Sequence, residues 1–144
     1  SKPETLDPDV FDIELIDFVK ESAIKDIEDP ETFAVLMTGR IPVCSKNVKE
    51  ILRRNGVPYF NRYLFNWSYN THKFKVLEMG KLFEEFTSLE EYTLWEDRLE
   101  HIEESSGKDD DITPSFISVG EEWVAKTGGK FNMNIITKDY KLRD

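Results

Sequence analysis

RIPVCSKNVKEILRRNGVPYF, residues 40–60, is the stretch whose reading decides the fold. Ile41 and Val43 alternate about Pro42, which predicts a short strand at a sheet edge, because proline cannot donate to a ladder. Ser45 is placed to cap a helix N-terminus with its hydroxyl. Val48, Ile51 and Leu52 fall at i, i+3 and i+4, one face of that helix. Arg53 and Arg54 occupy the last turn, where cations complement the helix dipole. Gly56 suits the left-handed position beyond a helix, and Pro58 prevents a restart. The stretch reads strand, helix, glycine stop, strand.

Working outward toward the N-terminus, Asp29-Pro30-Glu31 predicts a short helix carrying Phe33, Leu36 and Met37 inward and stopping at Gly39. Phe11, Leu15, Phe18 and Val19 fit a helix over Asp9–Lys20, continuing toward Ile27. Phe11, Ile13 and Leu15 also alternate as a strand would. Residues 1–8 are polar and proline-containing, which predicts a frayed end.

Toward the C-terminus, Tyr59, Asn61, Tyr63 and Phe65 share one face of an extended segment. Lys73–Met79 alternates again through Phe74 and Val76 after a turn-rich Asn66–His72, so an antiparallel hairpin is expected. Ser88 and Glu91 form a capping box. Behind it Tyr92, Trp95, Leu99 and Ile102 step by helical intervals, with Glu90, Asp97, Glu100 and Glu104 on the opposite face. Residues 105–114 read as a solvated loop. A strand over Ser115–Val119, a helix over Gly120–Lys126, a stop at Gly128-Gly129 and a strand over Lys130–Thr137 complete the chain. The expectation is a single α+β domain over 1–144, a small antiparallel or mixed sheet with a central hairpin packed against amphipathic helices.

The chain has 144 residues, 10 Phe, 5 Tyr and 3 Trp, so an aromatic-rich core is expected. No apolar run is long enough to span a bilayer, and the N-terminus lacks the pattern of a signal peptide. Cys44 is the single cysteine, so no intrachain disulfide can form and a reducing, cytoplasmic setting is expected. The sequon Asn66-Trp67-Ser68 is then a chance match. A net charge of −10 argues against nucleic acid as a partner and is compatible with a basic one.

No motif carries catalytic chemistry. Ser22-Ala23-Ile24-Lys25, Ser68-Tyr69-Asn70 and Lys126-Thr127-Gly128 occur in the order used by penicillin-recognising serine enzymes, but on the wrong elements and in too short a chain. GEEWVAKT, residues 120–127, has Ala125 where a phosphate loop needs glycine, and reads better as a helix with Trp123 in the core. Asp97 and His101 are i, i+4, yet a third metal ligand is missing, so no metal and no cofactor is expected. His101 reads as solvated among acids, which would favour its charged form. Asp109-Asp110-Asp111 lacks the spacing of a calcium loop. Cys44 reads as a buried structural cysteine.

FAVLMTGRIPVCSKNVKEILRRNGVPYF, residues 33–60, resembles the core of a group of immunity proteins from bacterial polymorphic-toxin systems. SFISVGEEWVAKTGG followed by KFNMNI resembles that group's closing element, with Gly120 where the group carries serine. The resemblance implies a cytoplasmic, non-catalytic inhibitor that neutralises one toxin domain, a basic one given the charge of this chain. On that reading Tyr59, Tyr63 and Trp67 anchor the partner protein and Glu90, Asp97, Glu100 and Glu104 form an acidic rim. The competing expectation is a structural or accessory subunit of a larger assembly, such as a phage or viral one.

Overall fold

The computed structural model describes residues 15–68, 70–103, 113–139 and 141–143. Among them helices combine with two small sheets in an α+β fold. The chain divides into two compact units, Ser1–Thr71 and His72–Asp144.

Unit 1 contains α1 (Asp17–Glu28), β1 (Val35–Thr38), a single 3-10 turn over Pro42–Cys44, α2 (Ser45–Arg54) and β2 (Arg62–Phe65). β1 and β2 are parallel neighbours, with Val35 opposite Arg62 and Thr38 opposite Phe65. Parallel strands need a crossover of a dozen or more residues, and α2 supplies it. Gly56 takes φ 78° just beyond α2, a left-handed conformation that glycine adopts without a Cβ penalty. Ala34, Cys44, Ile51 and Val57 are buried. The short helix expected from Asp29-Pro30-Glu31 to Gly39 does not form; its inward residues Leu36 and Met37 lie on β1, because Val35-Leu36-Met37-Thr38 pairs with β2. The strand expected around Pro42 is instead the 3-10 turn, where proline sits comfortably at the first position. Ser45 begins α2 rather than capping it; the cap residue is Cys44, whose side chain makes no capping hydrogen bond.

Unit 2 contains α3 (Thr71–Glu85, whose first residue belongs to unit 1), β3 (Glu91–Glu96), α4 (Leu99–Ile102), α5 (Phe116–Thr127) and β4 (Lys130–Ile135). β3 and β4 are also parallel, from Glu91 opposite Lys130 to Glu96 opposite Ile135. Ser115 caps α5 by accepting from the Ser118 N–H at 3.2 Å, and Gly128 ends it at φ 75°. Phe83 lies between Tyr92 and Trp123, each centroid 4.8 Å away, and Tyr92 stacks on Phe131. Gly120 is required beneath that stack, since a Cβ there would collide with the Phe131 ring.

The expected antiparallel hairpin does not form. Its second arm is helix α3, in which the residues past Val76 (Met79, Leu82, Phe83) restore helical spacing. The expected helix behind Ser88 is largely β3, where Tyr92, Leu94 and Glu96 point inward by strand alternation. The stripe Tyr92, Trp95, Leu99, Ile102 spans a strand and a separate short helix. The strand expected at Ser115–Val119 is the first turn of α5. The expected frayed end and nearly all of the expected solvated loop lie outside the described residues; Thr113, at that loop's end, is buried.

Candidate functional site

A buried charge pair forms where β3 ends; a second buried carboxylate, Glu78, lies on α3 and pairs with Lys81. EYTLWE is an aromatic and β-branched run, and its pleat turns Glu96 inward to 4% exposure. A buried carboxylate needs a partner. Lys75 of α3 supplies one, its Nζ 2.6 Å from Glu96 Oε2. The Asp97 N–H donates to Glu96 Oε1 at 3.0 Å. Burial pushes the Glu96 carboxyl up, but the Lys75 ammonium and the Asp97 hydrogen bonds bring it below the usual carboxylate range. Asp97 moves the other way: partial desolvation, then the hydrogen bond and charge of Glu96, raise its carboxyl. Two adjoining carboxyls are thus driven apart, Glu96 downward and Asp97 upward.

One turn before Lys75, α3 carries His72 on the same side. Its Nε2 donates to the Pro114 carbonyl at 2.8 Å. The His72 ring stacks on His101 of α4 at 4.5 Å, and Phe116 meets both rings edge-on. His101 is buried, and its Nδ1 has no hydrogen-bond partner among the described residues. Burial, then the charge of His72, lowers its pKa to about 4. The solvated, charged His101 expected from the acidic sequence around it is therefore corrected: the ring faces the core.

In unit 1 the corresponding strand ends are polar but, among the described residues, carry no buried charge. Asn66, 2% exposed, follows β2; its side chain donates to the Gly39 carbonyl and accepts from Ser68. Thr38 accepts from the Arg40 N–H at 3.2 Å. Burial of Asn66 leaves no room for a glycan on that side chain.

Of the seven residues expected to face a partner, Tyr59, Tyr63 and Trp67 belong to unit 1 and Glu90, Asp97 and Glu100 to unit 2. Tyr59 is 79% and Trp67 46% exposed in the segments flanking β2, and Tyr63 lies on β2 beneath Lys49. Glu90 precedes β3, Asp97 follows it and Glu100 lies on α4, so these acids do not share a helix face. Glu104 lies outside the described residues. Asp97 is the one member that joins the buried charge cluster. Lys75 and Glu96 escaped the sequence reading, and His72, expected in a turn, is buried in the first turn of α3; the signal for Glu96 was an acidic pair closing an aromatic strand run. Among the described residues no three His, Cys, Asp or Glu side chains gather as a metal cage.

β3 runs parallel to β4, and Glu96 and Asp97 stand at its carboxyl end, the end beyond which open α/β sheets bind their ligands. Residues 7–108 match the model of HAD domain family 1 in Swiss Army Knife RNA repair proteins, and the chain belongs to that family. No curated protein and no solved structure gives a match. The family overturns the resemblance to polymorphic-toxin immunity proteins, and with it the non-catalytic toxin inhibitor and the assembly subunit. The residues that suggested immunity proteins spell strand, helix, left-handed glycine and strand, which any parallel β-α-β segment can spell.

Proposed function

We propose that the chain is an enzymatic HAD-like domain that handles a phosphate ester at an RNA end. The observation that carries this reading is the Lys75–Glu96 pair at the carboxyl end of β3, inside the residues that match the family of RNA repair proteins. Phosphoryl chemistry asks for positioned positive charge and for carboxylates of distinct protonation. Glu96 orients the Lys75 ammonium, and Asp97, exposed beside it, is the group able to exchange a proton. Were a Mg²⁺ bound here, the exposed Asp97 carboxylate would be the group to hold it, since both Glu96 oxygens are engaged, and the ion would supply charge neutralisation at a phosphate. The lone cysteine, Cys44, fully buried, fits a reducing cytoplasm.

The test offers the chain short RNAs ending in a 3′- or 5′-phosphate, with Mg²⁺, and measures both binding and phosphate release. Asp97→Asn is the first variant, because Asp97 is exposed and its loss should spare the fold. A loss of phosphate release or end-phosphate binding of about a hundredfold is expected. Equal behaviour of phosphate-ended and hydroxyl-ended RNA, or an unaffected Asp97→Asn, would reject the reading.

A further inference from the structure

The net charge of −10 conceals a segregation of charge. Between Thr32 and Asn70 stand six basic residues (Arg40, Lys46, Lys49, Arg53, Arg54 and Arg62) and one acid, Glu50, a net charge of +5. Four of the six lie on α2, and all four are exposed. Lys46, Lys49 and Arg53 recur at i, i+3 and i+7, one stripe of the helix, while Ile51 turns into the core. Glu50 pairs with Arg53 and lies 3.9 Å from Arg54. One carboxylate between two guanidiniums leaves the stripe strongly positive.

Aromatic rings interleave with these cations. Lys49 Nζ stands 4.9 Å from the Tyr63 ring centroid, and the Arg62 guanidinium 5.0 Å from that of Phe33. Tyr59 is 79% exposed and lies within electrostatic reach of the Arg53 guanidinium. Cations that track phosphates beside rings that stack on bases are the two requirements of single-strand recognition. An acidic protein would use the cations without needing the ring.

We infer that the exposed stripe of α2, together with Tyr59, is a docking surface for single-stranded RNA. The choice of RNA over another polyanion rests on the proposed function; the surface shares no residue with Lys75, Glu96 or Asp97.

The test is fluorescence anisotropy of the whole chain with a labelled, hydroxyl-ended RNA of about twelve nucleotides. About three phosphate contacts predict that log K falls against log salt with a slope of about −2. Lys49→Glu with Arg53→Glu should weaken binding at least tenfold at about 50 mM salt and flatten the slope by about one. Tyr59→Ala should weaken it about tenfold with the slope unchanged. Circular dichroism confirms that these surface variants fold. No binding to the wild-type chain, or binding indifferent to the paired charge reversal, would overturn the proposal. So would a neutral Tyr59→Ala with heparin competing as well as RNA, which would mark a generic polyanion or acidic-protein face. Asp97→Asn should leave this binding intact. If it alone abolishes binding, the docking surface is wrong while the end-phosphate reading survives.

Discussion

Lys75 and Glu96 show how one side chain can depend on another for its tolerance in a core. Glu96 is 4% exposed and Lys75 12% exposed by side chain, so neither charge is rescued by bulk water. Lys75→Met should therefore cost about 3–5 kcal/mol, because it strands a buried carboxylate. Lys75→Met combined with Glu96→Gln should recover most of that loss, since no ionised group then stays buried. Urea denaturation of the two single variants and the double variant measures the coupling; additive losses would mean that the two charges act independently. The pair was invisible in the sequence for a simple reason. Lys75 and Glu96 stand on separate elements, and nothing local links them. Cys44, by contrast, was legible as a buried thiol, since a lone cysteine is more often a small buried hydrophobe than a reactive group.

At the scale of elements, α2, Gly56 and the last strand were legible because their local signals agree. α3 and β3 were not. Lys73–Met79 presents only Phe74 and Val76 as alternation, too short a run to separate strand from helix. For β3, a capping-box pattern and a helical stripe happened to overlie a strand whose partner, β4, lies far along the chain. Tertiary pairing outweighed local propensity there. α5 shows the opposite balance, with caps at both ends: Ser115 at the start and left-handed Gly128 at the stop. The Ser115 hydroxyl satisfies an otherwise orphaned N–H, and the residue is 5% exposed. Ser115→Ala should thus cost about 1 kcal/mol, and Ser115→Asp, which restores an acceptor, should cost less if its added volume is accommodated. Thermal melts order the three proteins, and an alanine variant as stable as wild type would remove the cap from the account.

For the whole molecule, charge and burial set opposing demands on pH. The isoelectric point is about 4.7, where net self-repulsion vanishes. His101 opposes a stability maximum there. Its ordinary pKa of 6.5 is lowered to about 4 by burial and by His72, with Arg98 and Lys75 adding to the effect and Glu100 opposing it. Above 6.5 the ring is neutral folded and unfolded, so it exerts no pH dependence. As pH falls from 6.5 toward 4, the unfolded chain takes up the proton and the folded chain resists, so stability is lost across that window. The full loss is about 3 kcal/mol from a shift of this size. Glu96, held low, adds a loss as pH falls below the ordinary carboxylate range. Asp97, held high, works in the opposite direction. The net expectation is a stability maximum near neutrality rather than at the isoelectric point. A series of melts from pH 4 to 8 tests this, with His101→Phe as the comparison. That variant keeps an aromatic ring against His72 and Phe116 but cannot be protonated, so its stability should fall less between 6.5 and 4. If both proteins lose stability in parallel, His101 is not the group that the core keeps neutral.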